Sequence, residues 1–96
     1  MATALVTLPT GTNTTLAPAV AGKIIRVKRI LCSEGFDAAL KSGSTPISPS
    51  LKCGPNSYVD VRWDGEAMQC ARGEALVAYS DALSVTDAWI EYELVD

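Results

Sequence analysis

Short stretches of strict two-residue alternation constrain the fold of this chain more than any other feature. Residues 57–64 place Val59, Val61 and Trp63 on one parity, and residues 88–95 alternate in the same way. A period of two is typical of a half-buried β-strand. Gly, Pro, Asn or Asp bound each stretch, and no helical period extends beyond about two turns. We therefore predict an all-β chain of about six to eight short strands, in a two-sheet sandwich or a small barrel.

The strongest strand prediction is the basic and apolar segment around Val27. Ile25, Val27 and Leu31 share one parity, while Arg26 and Lys28 occupy the other. The alternation slips at Arg29 and Ile30, which predicts a β-bulge or burial of both faces near the end of the strand. The remaining predicted strands are short and cover residues 5–8, 75–79, 83–86 and 88–95, with a short or edge strand at Ile47.

The length and the charge distribution predict one domain with a distinct N-terminal segment. The chain has 96 residues, which is room for a single domain. The first charged residue is Lys23, and the segment before it is rich in Thr and Ala. We interpret residues 1–21 as an extended arm and residues 22–96 as the β-sandwich domain. An uncharged arm is expected to pair with its own sheet or with a neighbouring subunit.

The composition argues against several classes of function. The chain has no His, which excludes Ser/His and Cys/His nucleophile pairs and every metal site that uses His. Its net charge of −3 opposes binding of nucleic acid through a basic surface. No apolar run reaches the length of a spanning helix, so we expect no membrane partner. The start of the chain lacks a signal-peptide pattern, which predicts synthesis in a cytoplasm.

The three cysteines and the clustered carboxylates have structural interpretations that we prefer to chemical ones. Cys32, Cys53 and Cys70 are an odd set without CxxC spacing, so we expect reduced thiols. Carboxylates at positions 60, 64 and 66 could serve acid/base chemistry or calcium binding. Their spacing matches no EF-hand loop, so we interpret them as solvated charges. We expect no enzyme activity, metal or cofactor.

Charged and aromatic residues on the outward parity are candidates for contacts with a partner. Trp89 shares its parity with Glu91 and Glu93, and Tyr58 also points outward on its strand. Aromatic residues are enriched at interface hot spots, although such a pair can also cover aliphatic stems or stack on a sugar. Four basic residues of these strands either form a partner-binding patch or pair with Glu91 and Glu93. These basic residues are Arg26, Lys28, Arg29 and Arg62.

An ordered series of motifs resembles small virion proteins of tailed bacteriophages. The motifs are Ala21-Gly22-Lys23 with Ile25-Arg26-Val27, then Lys41-Ser42-Gly43, then Ala71-Arg72-Gly73-Glu74-Ala75-Leu76, then Ile90-Glu91-Tyr92. Together they span most of the chain from residue 20 onward. Proteins of this type include capsid cement or decoration proteins and short head or tail fibre domains.

The resemblance implies a jelly-roll-like β-sandwich that acts without catalysis. It implies a protein of the virion's capsid surface that binds across neighbouring major capsid protein subunits and associates as a dimer or trimer. The alternative is a receptor- or glycan-binding domain of a fibre or spike. We predict that the contacts with partners involve Leu5, Val6, Leu8, Tyr58, Arg62 and Trp89.

Overall fold

The computed structural model of the protein describes residues 1–54 and 57–96. Their strands are β1 (Ala2–Leu8), β2 (Asn13–Ala17), β3 (Ile24–Cys32), β4 (Asp37–Ser42), β5 (Thr45–Pro46), β6 (Leu51–Lys52), β7 (Val59–Arg62), β8 (Leu76–Ser80) and β9 (Thr86–Val95). None of the described residues is helical, so no described helix offers the length and apolarity needed to cross a membrane. The all-β prediction is confirmed.

Two antiparallel sheets form the molecule. The front sheet has the order β1-β9-β3-β7, and the back sheet has the order β2-β8-β4-β5, with β6 also paired to β4. Their facing sides enclose one apolar core. The front sheet contributes Ile25, Ile30 and Ile90, and the back sheet contributes Leu40 and Leu76, all of them 0% exposed. The two layers around a shared core make a β-sandwich.

The segment interpreted as an arm supplies one strand to each sheet. β1 pairs with β9 through seven consecutive residues, from Ala2 opposite Tyr92 to Leu8 opposite Thr86. β2 pairs with β8 in the other sheet. The expected pairing of the segment with its own sheets is thus observed. Residues 1–21 are part of the sandwich, and both sheets contain strands from each side of the predicted boundary.

The slip in alternation at Arg29 marks a β-bulge in β3. The register with β9 shifts between Val27 and Arg29, so that Lys28 is the extra residue. The Lys28 carbonyl accepts a hydrogen bond of 2.9 Å from the Trp63 amide, which satisfies one backbone group at the bulge. The predicted bulge is therefore confirmed.

The bulge changes which face of the sheet each residue beyond it occupies. Ile25 is buried before the bulge, whereas Ile30 and Cys32 are buried after it. Leu31 was predicted on the inward parity with Ile25, and this prediction is wrong because one inserted residue reverses the alternation. Leu31 instead lies half-buried on the outer face of the front sheet.

The structure also bears on the strand predicted over residues 83–86 and on the turn predicted after β7. The strand predicted over residues 83–86 is wrong, because the chain there crosses between the sheets and leaves Leu83 and Val85 exposed before β9 begins at Thr86. The predicted turn after β7 is confirmed: Gly65 has a φ of 55°, in the left-handed region that favours glycine. The expected inward direction of Val59 lies outside the described side chains.

Alanine substitutions on either side of the bulge test this assignment. Ile30→Ala removes a fully buried side chain and should lower the free energy of unfolding by about 2–5 kcal/mol. Leu31→Ala removes a half-buried side chain from the outer face and should cost about 1.5 kcal/mol or less. Urea titration of the two variants measures the difference. A larger loss for Leu31→Ala would contradict the assigned faces.

Candidate functional site

The outer face of the front sheet carries an apolar row that crosses three strands. Leu5 in β1 lies opposite Trp89 in β9, and Trp89 lies opposite Leu31 in β3. Asp60 in β7 continues the row beyond Leu31. Solvent-facing positions on antiparallel sheets are usually polar, so three adjacent apolar residues are unusual there. This row is the centre of the candidate site.

Tyr58 joins the row to make a shallow groove of about 500 Å³. Leu5 and Tyr58 are each 73% exposed, whereas Trp89 and Leu31 are half-buried. Two carboxylates, Asp60 and Asp87, also line the groove. The residues that line this Trp89 groove are Leu5, Arg29, Leu31, Cys32, Ser33, Tyr58, Asp60, Asp87 and Trp89.

The guanidinium group of Arg29 covers one face of the Trp89 ring. Its Cζ atom lies 5.6 Å from the ring centroid, within the range of a cation–π interaction. The same group binds Asp60 through two hydrogen bonds of 2.8 Å, from Nε and Nη2 to the two carboxylate oxygens. Two parallel bonds fix a guanidinium group more firmly than one. Asp60 therefore fixes the Arg29 guanidinium group over the Trp89 ring, and this contact supports the orientation of Trp89.

Charge pairing around Arg29 shifts two pKa values. Hydrogen bonding to Arg29 lowers the pKa of the Asp60 carboxyl below its ordinary value, and the nearby positive charges of Arg29 and Arg62 lower it further. The same hydrogen bond raises the pKa of Arg29, with further contributions from the charges of Asp60 and Glu91. Both groups are therefore ionised at neutral pH.

The basic residues predicted as a patch are mostly paired within the chain. Arg26 and Lys28 lie 3.6 and 3.3 Å from the same Glu93 carboxylate oxygen. Arg29 lies 3.6 Å from Glu91, in addition to its bond with Asp60. Three of the four basic residues therefore pair across strands with Glu91 or Glu93, as one of the two alternatives expected. The apolar row is therefore flanked mostly by paired charges.

The structure brings together only some of the six predicted contact residues. Leu5, Tyr58 and Trp89 line one groove, and exposed Arg62 lies on the same sheet. Leu8 is 0% exposed and Val6 packs against the core, because both occupy the inward parity of β1. These two residues are therefore part of the folded interior and do not line the groove.

Sequence reasoning did not place Leu31, Asp60 or Asp87 at this site. Leu31 was assigned to the core because the alternation was continued past Lys28 without the reversal of faces that a bulge causes. The stacking of Arg29 on Trp89 depends on which strands are neighbours, which the pattern does not reveal. The slip at Arg29 and Ile30 was the available signal for Leu31, since one inserted residue exchanges the two faces.

The candidate acid/base or metal-binding carboxylates do not form a reactive cluster. Asp60 is bound to Arg29, and Asp64 and Glu66 are exposed. Among residues 1–54 and 57–96, no group of three or more His, Cys, Asp or Glu side chains is placed to hold a metal ion. These observations assign Asp60 a positioning role beside Trp89.

The three cysteines are free thiols. Burial raises the pKa of Cys32 to about 12, and burial also raises the pKa of Cys70. Cys53 is half-buried, and its thiol donates to the Ser33 carbonyl at 3.0 Å. The thiolate is the reactive form of cysteine, so the two buried residues are chemically inert in the folded protein.

The Arg29–Asp60 pair predicts a specific loss of stability in acid. A carboxyl whose pKa is lowered by folding stabilises the fold above its unfolded pKa of about 3.9, and this contribution disappears as the pH falls through the folded pKa. Asp60→Asn should therefore lower Tm at pH 7, and its difference from the parent should shrink below about pH 3.5. Calorimetry from pH 2 to 7 measures this. Asp64→Asn, at an exposed turn carboxylate, is the control and should change Tm little at any pH.

A difference from the parent that stays constant down to pH 2 would contradict the assigned ion pair. The same outcome would remove the argument that Asp60 holds Arg29 over Trp89.

Thiol labelling tests the burial of the cysteines. With a disulfide reagent at pH 8, Cys53 should react first, and Cys32 and Cys70 should react at least about 100-fold more slowly. All three should react rapidly in denaturant. Mass spectrometry of digested samples identifies each labelled position. Equal rates for Cys32 and Cys53 in the folded protein would show that this end of the sandwich is open.

A scan against protein-family models, a search of curated proteins and a search of solved structures find no match to this chain. No relative therefore supplies a function by similarity. The Trp89 groove and the arrangement of strands that builds it are the observations from which the function is inferred.

Proposed function

We propose that this chain is a non-enzymatic structural protein of a tailed-phage virion, a capsid cement or decoration protein. The Trp89 groove carries the proposal, because adjacent apolar residues on an outer sheet face mark a protein-binding surface. Trp, Tyr and Arg are the residues most often found at interface hot spots, and all three line this groove. The partner in this proposal is the major capsid protein, and the site of action is the capsid surface.

The strand order supports a jelly-roll assignment for the sandwich. β1 lies beside β9 in the front sheet, while β2 lies beside β8 in the back sheet. The chain passes from the front to the back sheet at β1–β2, β3–β4 and β7–β8, and it returns to the front sheet at β2–β3, β6–β7 and β8–β9. Such nesting of early strands beside late ones is typical of two interlocked Greek keys. Jelly rolls are frequent in viral capsid proteins and in lectins, so this topology suits both candidate functions.

The groove is suited to binding without rearrangement. Arg29 is held by two bonds to Asp60 and covers the Trp89 ring. A side chain already held in one orientation loses little conformational entropy when a partner covers it. In the proposed role, each module touches more than one coat subunit. Later contacts then become intramolecular, so that modest individual contacts hold the shell together.

The alternative is a receptor- or glycan-binding domain of a fibre or spike. The presence of Trp89 and Tyr58 beside two carboxylates favours it, since aromatic rings and carboxylates suit sugar rings and their hydroxyls. Two contacts weigh against it. Arg29 already occupies one face of the indole, and both oxygens of Asp60 accept hydrogen bonds from Arg29. The groove is therefore better suited to a protein surface.

Co-sedimentation with purified mature and immature capsids of the source phage tests the proposal. The parent chain should bind saturably at a fixed ratio per coat subunit. Trp89→Ala should weaken binding by about 30-fold or more, the loss typical of a hot-spot residue. Leu83→Ala, at an exposed apolar residue outside the groove, is the matched control and should bind like the parent. Circular dichroism establishes that both variants fold.

Glycan-array binding separates the alternative function. Absence of capsid binding together with a glycan signal that Trp89→Ala abolishes would replace the cement proposal with the receptor-binding one. Capsid binding that Trp89→Ala leaves unchanged would show that the groove is not the contact surface.

A further inference from the structure

β1 is an open sheet edge of unusual composition. It runs for seven residues, ATALVTL, without a charge or a proline, and it pairs with β9 in one unbroken register. No described strand pairs with its other side. Thr3, Leu5 and Thr7 are all exposed along it. An edge of this kind is a template for another strand, and proteins normally protect against such pairing.

The other edges of the sandwich carry the usual protection. β7 has four residues and includes the charged Asp60 and Arg62. β2 is interrupted by a register shift between Thr15 and Ala17. β5 and β6 have two residues each, and β5 ends in Pro46. Short length, charge, irregularity and proline all discourage edge pairing. Among the described strands, the contrast singles out β1.

The register identifies which backbone groups of β1 face outward. The Asp87 carbonyl accepts from the Ser33 amide, and the Asp87 amide donates to the Ser33 hydroxyl, so Asp87 directs its backbone toward β3. Direction alternates along a strand, which turns Ala88 and Ile90 toward β1. Their partners Val6 and Ala4 therefore bond to β9.

The alternate residues of β1 are left with unpaired backbone groups. These residues are Thr3, Leu5 and Thr7. Each presents one N–H and one C=O group to the open edge. The three residues are thus able to form a further ladder without disturbing the pairing with β9.

We propose that β1 pairs with β1 of a second copy of this chain, antiparallel about a two-fold axis at Leu5. In this register Leu5 faces the partner's Leu5, and Thr3 faces the partner's Thr7. All six outward N–H groups of the two strands then find acceptors. The two front sheets join into one sheet of eight strands, counted from the four strands in each front sheet.

The side chains favour a second copy over an unrelated strand. The axis places Leu5, which is 73% exposed, beside Leu5 of the second copy, so that both side chains lose apolar exposure. Thr3 lies beside Thr7 of the second copy, which is a favourable cross-strand pair. The edge has no charge to repel an identical edge. Pro9 lacks an N–H group and stands at the next outward position, so it ends the ladder after three pairs. Self-complementarity of this kind is the requirement for a two-fold dimer.

The dimer brings two Trp89 grooves to the same side of one sheet. Three strand spacings separate the two Trp89 positions, which is about 14 Å. The pairing itself depends on β1 and not on the Trp89 ring. It stands whether or not the grooves bind a capsid.

Sedimentation velocity over about 1–500 μM tests the dimer, a range suited to a short and weak contact. The parent chain should shift from monomer to dimer across this range. Thr3→Pro removes an outward N–H group in both copies and should raise the dissociation constant at least about tenfold. Thr3→Val keeps that N–H group and changes only the side chain, so it should raise the constant less than Thr3→Pro does. Circular dichroism excludes unfolding of the proline variant.

Cysteine cross-linking tests the register. In a Cys53→Ser background, Leu5→Cys places two thiols opposite each other at the axis, with Cα atoms about 5.5 Å apart. Thr3→Cys leaves its two thiols about 13 Å apart along the strands. Mild oxidation should therefore cross-link the first variant and not the second.

Three results would overturn the proposal. They are a chain that stays monomeric at 500 μM, a dimer that Thr3→Pro does not weaken, and equal cross-linking of the two cysteine variants. The first would leave the β1 edge to a strand of another protein, and the others would place the dimer contact elsewhere.

Discussion

The ladder between β3 and β9 is the interaction on which the rest of the structure depends. β9 is the longest strand, and it lies between β1 and β3 in the front sheet. The bulge at Lys28 lets β3 bury Ile25 before it and Ile30 after it. The bulge also turns Leu31 outward beside Trp89. One irregularity in the β3–β9 pairing therefore directs Ile30 into the core and Leu31 into the groove.

The outer face of the front sheet separates apolar from charged contacts. Charged residues of β3, β7 and β9 pair with one another beside the apolar row. Partly exposed ion pairs contribute modestly to stability, and these pairs also position the side chains around the row. The pair of Arg29 with Asp60 keeps a cation over Trp89 and leaves Leu5 and Tyr58 open to a partner. An apolar surface bordered by satisfied charges is the arrangement expected of a protein-binding face.

Some of the candidate site could be predicted from the sequence. Trp89 and Tyr58 were recognised as outward-facing because each lies in a stretch of sequence with clean alternation. Leu31 was missed because its direction depends on a bulge whose position is set by pairing with β9. Val6 and Leu8 were grouped with Leu5 although a strand sends alternate side chains to opposite faces. The error for Val6 and Leu8 came from assigning all residues of the segment to one face of the strand.

The sequence by itself determined the class of fold, most of the strands and the absence of histidine chemistry, because these depend on local alternation, turn residues and composition. The tertiary structure decided which strands became neighbours, and therefore which charges were paired and which residues shared the groove. It also decided that β1 would lie at an open edge while the other edges were short, charged, irregular or ended by proline. Strand order depends on contacts between residues far apart in the chain, and a pattern with a period of two carries no information about such partners.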